Sequence, residues 1–161
     1  MEPLPDLPLS PHPNYVTPRG HRLLQARLAA TQARLAALRA RPDRLDKLPE
    51  AAAERDIRYL EARLRSAILV DPATRPLSEV AFGLVVTTLD EGGTRARYQI
   101  TGEDEADPAQ GRIAPHSPLA RALIAARPGD SVTWRRPNGS LTLEILSITL
   151  PEDADAPDPQ P

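Results

Sequence analysis

The chain contains no cysteine, so neither a disulfide framework nor a thiolate metal site can be built from it. Lysine is nearly missing as well: Lys47 is the only one, and arginine carries the rest of the positive charge. Aromatic residues make up 3% of the sequence, too few for the stacking platforms that bind single-stranded nucleic acid. Long apolar runs are absent; residues 67–70 form one of the longest, far short of the ~20 residues needed to span a bilayer. The three histidines, His12, His21 and His116, lie far apart in sequence and show no metal-ligand spacing. The opening MEPLPDLPLSPHPNY has neither a basic segment nor an apolar one, so no secretory signal is expected. Together these absences predict a cytoplasmic protein with no membrane association and no metal or cofactor of its own.

What is present is unevenly spread. The net charge is −2 over 161 residues, yet residues 18–68 hold twelve arginines and lysines against six aspartates and glutamates. A basic half joined to an acidic half predicts an anionic partner for the first. Candidate contacts on this basic face are Arg27, Arg34, Arg58 and Arg65. Nascent RNA or another nucleic acid would satisfy them through its phosphates.

Proline divides the chain. Residues 1–14 hold five prolines and predict a flexible or polyproline arm. Residues 151–161, PEDADAPDPQP, predict an acidic disordered tail. Between them, Thr17-Pro18 is a helix start, with a capping hydroxyl followed by a residue preset for the first turn. Leu24, Leu28, Thr31, Leu35 and Leu38 then step by four and three, as a coiled-coil seam does. Pro42 ends that helix. Ala53, Ile57, Leu60, Leu64 and Ala67 form a second seam between Pro49 and Pro72. Two matched seams with a short connection predict an antiparallel helical hairpin over residues 15–71.

From residue 72 to 150 the pattern becomes that of an α+β domain. Val80, Phe82, Leu84 and Val86 alternate as a strand. Glu91-Gly92-Gly93 is a turn into a second strand, residues 95–101, RARYQIT. Residues 117–126, SPLARALIAA, predict a short helix capped by Ser117. Pro128-Gly129-Asp130 turns into a strand near residues 132–135, and Pro137-Asn138-Gly139 returns through 141–150. The expectation is a small antiparallel sheet carrying one helix.

The run GEDEADPAQGRIAPHSPLARALIAARPGDSV, residues 102–132, resembles the C-terminal domain of the GreA/GreB family of transcript-cleavage factors. NYVTPRGHRLL resembles that family's entry into its coiled coil, and LRSAILVDP followed by FG is similar to its interdomain link. The resemblance implies a monomeric factor with a coiled-coil hairpin and an FKBP-like sheet domain. It implies binding to bacterial RNA polymerase at the secondary channel, with docking through His116, Ser117, Pro118 and Leu119. It also implies that any RNA cleavage belongs to the polymerase, whose Mg²⁺ an acidic hairpin tip would help to hold.

The tip departs from the family. Between Leu38 and Ile57 the chain reads RARPDRLDKLPEAAAERD, without the family's acidic tip segment. The hairpin is shorter by about fifteen residues, about seven per arm, which at ~1.5 Å of rise per residue removes about 10 Å of reach. Asp43 and Asp46 are the tip carboxylates, and metal ligation needs approach to about 2 Å. No catalytic role is carried onto them. The expected function is a secondary-channel regulator that does not stimulate cleavage. The alternative is a genuine cleavage factor with a rearranged tip. His116 stands where the family often has aspartate. A prolyl isomerase is disfavoured, because Phe82, Tyr98 and Trp134 are the domain's aromatic candidates for a pocket and suit its core better.

Overall fold

In the computed structural model, which describes residues 2–152, Thr17 opens the hairpin. Its backbone is extended, its hydroxyl oxygen accepts a hydrogen bond from the Gly20 amide, and Pro18 fills the first turn. Helix α1 runs Pro18–Arg39 and stops short of Pro42; α2 runs Leu48–Ser66 with Pro49 at its start. Leu24, Thr31 and Leu35 of α1 are buried with Ala53 and Leu60 of α2, and Leu28 and Leu64 pack beside them. Thr31 satisfies its hydroxyl inside the seam by donating to the Arg27 carbonyl at 2.7 Å.

The hairpin is closed at its base. Strand β1, Tyr15–Val16, leads in and β2, Ile68–Leu69, leads out, and the two pair in parallel. The Ile68 amide donates to the Asn14 carbonyl at 2.8 Å and that of Val70 to the Val16 carbonyl at 2.9 Å.

The second unit is a five-stranded sheet in the order β5-β4-β3-β7-β6. Its strands are β3 (Val85–Asp90), β4 (Arg95–Ile100), β5 (Arg112–Ile113), β6 (Ser131–Trp134) and β7 (Leu141–Thr149), with helix α3 at Pro118–Leu123. Leu84, Val86, Ile100, Leu143 and Ile145 meet Leu119, Ala120 and Leu123 of α3 in one core. Tyr98, Trp134 and Phe82 all serve that core, as expected; Tyr98 meets Trp134 edge-on at 6.5 Å.

Three local expectations need correction. The alternation at Val80, Phe82 and Leu84 reports burial, not a strand: all three are buried, but β3 begins only at Val85. Gly83, at φ +87°, turns the backbone out of the extended region just before it. The sheet is not wholly antiparallel, since β5 runs parallel to β4. A long excursion from Ile100 to Arg112, not a tight hairpin, connects them, and only such a crossover lets the chain return in the same direction. Helix α3 ends at Leu123, before the predicted residue 126, because the Ala125 amide leaves the helix at φ +65° to donate to the Val80 carbonyl at 2.8 Å.

The arm, residues 1–14 by sequence, lies along α2 in its described part. Arg58 donates to the Asp6 carboxylate at 2.6 Å and to the Leu4 carbonyl at 2.7 Å. Asn14 is buried and donates to the Arg63 carbonyl at 2.8 Å. Of the tail expected at 151–161, only Pro151 and Glu152 fall among the described residues; the rest lies outside them.

The two units meet at Gly102, where an added Cβ would sit 2.4 Å from the Tyr15 carbonyl oxygen. That oxygen belongs to β1, which the hairpin base holds. Gly102→Ala is therefore expected to destabilise the protein by ~1–3 kcal/mol, the usual range for forced overpacking. Gly93→Ala, at φ +85° but with open space around it, should cost only ~1 kcal/mol. Urea denaturation of both variants checks the order; a smaller loss at Gly102 would mean that the junction is loose.

Candidate functional site

Gly102-Glu103-Asp104-Glu105 sits in the loop between β4 and β5, against the base of the hairpin. Each acid has its own set of partners, with Arg63 shared by two of them. Glu105, its side chain 1% exposed, accepts from the Thr17 hydroxyl at 2.5 Å and from Arg19 at 3.1 Å. It thereby places a negative charge at the amino end of α1, where the helix dipole favours one. Asp104 accepts from Arg63 Nε at 2.7 Å and from the Tyr59 hydroxyl, both on α2. Its carbonyl accepts from Arg27 of α1 at 3.1 Å. Glu103 accepts from Arg63 at 3.2 Å and from Ser10 of the arm at 2.8 Å, and its Oε1 lies 3.3 Å from His116 Nδ1. One four-residue turn thus grips both helices, the arm and the entrance to α3.

The electrostatics follow from this geometry. Burial pushes the Tyr59 hydroxyl up to about 12, and its bond to the Asp104 carboxylate adds to the shift. For Arg63 burial opposes the charge, but the hydrogen bond and attraction of Asp104, with Tyr59 and Glu103, hold its pKa above the usual arginine value.

The residues expected to dock divide by exposure. Ser117 caps α3, accepting from the Ala120 amide at 3.3 Å and donating to the Ala114 carbonyl at 2.7 Å. Pro118 is exposed and His116 partly so, but Leu119 is 5% exposed and belongs to the core. The reachable surface is therefore His116 and Pro118, held in place by the Ser117 cap. Leu119 supports it from beneath, because the first apolar position after the cap points at the sheet.

The residues of the expected basic face divide between two grooves. Arg27 and Arg34 line one groove, and Arg58 and Arg65 line another beside Asp6 and Leu7 of the arm. Arg27 is bonded to Asp104, Arg34 pairs with Asp56 at 3.6 Å, and Arg58 is bonded to Asp6. Much of the positive excess is answered within the chain, by the arm and the acidic turn. Sequence reasoning could count those charges but not see that the acids opposite them were their partners.

At the tip, Asp43 accepts from the Leu45 amide and Asp46 from the Leu48 amide, each at 3.0 Å. Both are exposed and stabilise the turn locally, while Leu45 is 92% exposed between them. Glu50 takes both nitrogens of the Arg44 fork at 2.8 Å each. That hydrogen-bonded pair, aided by the charges of Arg44, Lys47 and Arg39, pulls the Glu50 carboxyl down to about 2 against the cost of its burial.

A carboxyl whose folded pKa is depressed contributes stability above its unfolded value of about 4.3, lost as pH falls through the folded value. The Glu50–Arg44 pair should therefore keep the tip ordered throughout the neutral range and release it only between about pH 4 and pH 2. An NMR titration of the Glu50 carboxyl checks this: its midpoint should rise to the ordinary glutamate range in Arg44→Ala. An unchanged midpoint would remove Arg44 as the cause.

The comparisons with known proteins agree with this anatomy. Residues 75–150 match the family described as transcription elongation factor GreA/GreB, C-terminal. The chain is 45% identical over 96 residues to transcription elongation factor GreB of Neisseria meningitidis serogroup B, covering 59% of each chain. It is 41% identical over 101 residues to transcription elongation factor GreA of Alkalilimnicola ehrlichii, covering 62% of this chain and 64% of that one. The matched segment thus spans about three fifths of these curated relatives. A solved GreA/GreB factor from Nitrosomonas europaea aligns over 84% of this chain and 98% of its own, at 20% identity and a TM-score of 0.42. The sheet domain, residues 75–150, is thus similar to the C-terminal domain of the GreA/GreB family.

Proposed function

We propose that the protein docks on bacterial RNA polymerase at the secondary channel, in the cytoplasm, and regulates transcription there without stimulating transcript cleavage. The family of the sheet domain supports the partner, and His116 and Pro118 form the docking edge. The single observation that carries the non-cleaving reading is the chemistry of the tip. Between residues 41 and 47, Asp43 and Asp46 are outnumbered by Arg41, Arg44 and Lys47, and the next carboxylate, Glu50, is paired to Arg44 in both its oxygens. Holding a second catalytic Mg²⁺ needs an excess of free carboxylate oxygens. Length acts in the same direction: the 22 residues of α1 extend about 33 Å. Any RNA cleavage in the complex would be the polymerase's own.

The test uses backtracked transcription complexes. The protein should leave RNA cleavage at its intrinsic rate at every Mg²⁺ concentration, yet compete with a full-length GreA factor. Asp43→Ala and Asp46→Ala should alter neither result. Replacing Ser117-Pro118 by Ala-Glu should weaken competition at least ~10-fold, about 1.4 kcal/mol, with circular dichroism confirming the fold. Cleavage stimulated by wild type and abolished by either aspartate variant would instead establish a rearranged but active tip.

A further inference from the structure

Two histidines separated by 104 positions in sequence lie face to face in space. The rings of His12, on the arm, and His116, at the entrance to α3, stack at 4.2 Å with 13° between their planes. One ligand-type atom from each, with one carboxylate oxygen of Glu103, lie within 4.8 Å of one another. We propose that His12, His116 and Glu103 bind a single divalent transition-metal ion of the zinc class, and that the ion latches the arm to the sheet domain.

The geometry carries this in several ways. His116 Nδ1 is 3.3 Å from Glu103 Oε1. Two ligands of a tetrahedral zinc ion, with bonds of about 2.0–2.1 Å, stand about 3.3 Å apart. The pair already has the separation that one ion would impose. The other oxygen of Glu103 is held by the Arg63 guanidinium at 3.2 Å. A hydrogen bond to the second oxygen of a ligating carboxylate is the support such sites depend on. Asp104, bonded to the same guanidinium, offsets the positive charge that would otherwise oppose a cation here. The three groups line a cavity of about 140 Å³ with Tyr15, which leaves space for a water as fourth ligand. Two imidazoles and one carboxylate favour zinc and its neighbours over magnesium or calcium, which take oxygen.

Binding requires two adjustments, both on the arm. An ion lies in the plane of each imidazole that holds it, so parallel rings cannot share one until one of them tilts. His12 is exposed, and its amide donates to the neighbouring Ser10 hydroxyl, so it is the ring that turns. Ser10 donates to Glu103 Oε1 at 2.8 Å and must yield that oxygen. The ion then replaces the Ser10–Glu103 hydrogen bond by a metal bridge in which His12 is the arm's ligand and His116 and Glu103 are the domain's. The arm beyond it covers Arg58 and Tyr59 of α2, so metal occupancy would govern whether that helix face is covered.

The experiment is calorimetric titration of the metal-free full chain with zinc chloride, followed by hydrogen exchange. One ion per chain should bind. His12→Ala and His116→Ala should each weaken binding at least ~10-fold, while His21→Ala, outside the cluster, should not. Zinc should slow amide exchange at Leu4, Asp6, Leu7 and Leu9 in wild type and fail to do so in His12→Ala. His12 is exposed, so its removal leaves the fold intact. No binding, binding indifferent to both histidine changes, or exchange in the arm unaltered by zinc would each overturn the proposal.

Discussion

Arg63 is buried to 3% exposure, and a guanidinium at that depth needs every donor satisfied and its charge answered. It finds these partners outside its own helix. Asp104 and Glu103 come from the sheet domain and Asn14 from the arm. Removing either acid would leave charge uncompensated in the interior and removing Asn14 would leave a buried donor unpaired, so the three segments are held together by a single requirement. The hairpin base, the arm and the acidic turn all converge on this residue.

Around that centre the other features fall into order. Glu105 anchors the start of α1 through Thr17 and Arg19, and Arg27 reaches back to the turn one helical level further up. Gly102 is small because the turn presses on β1. The hairpin therefore leaves the sheet domain in a defined direction. Its tip is short, carries more positive than negative charge, and ends in an exposed leucine.

Much of this was legible in the sequence, for identifiable reasons. Helix boundaries were marked by Thr17-Pro18, Pro42 and Pro49, because capping and proline chemistry act locally. The seams followed from period alone, and the turns at Gly93 and Gly139 from their glycines. The junction was not legible. Nothing in a linear count shows that Arg63 and Asp104, 41 positions apart, share a bond, so the basic excess read as a surface for an external anion. For the same reason His12 and His116 looked isolated. Leu119 read as a contact because the motif around it resembles the family's docking segment, while its burial depends on which face of α3 meets the sheet.

The absence of cysteine gives a clean way to measure the central claim, that the Arg63 clamp fixes the hairpin on the sheet domain. Leu45→Cys at the tip and Thr133→Cys on β6, both at exposed positions, can carry spin labels for pulsed electron resonance. The account predicts one narrow distance distribution in the otherwise unaltered chain, broadening markedly when Arg63→Ala is added. A distribution that is already broad with Arg63 in place, or one that stays narrow without it, would contradict the account.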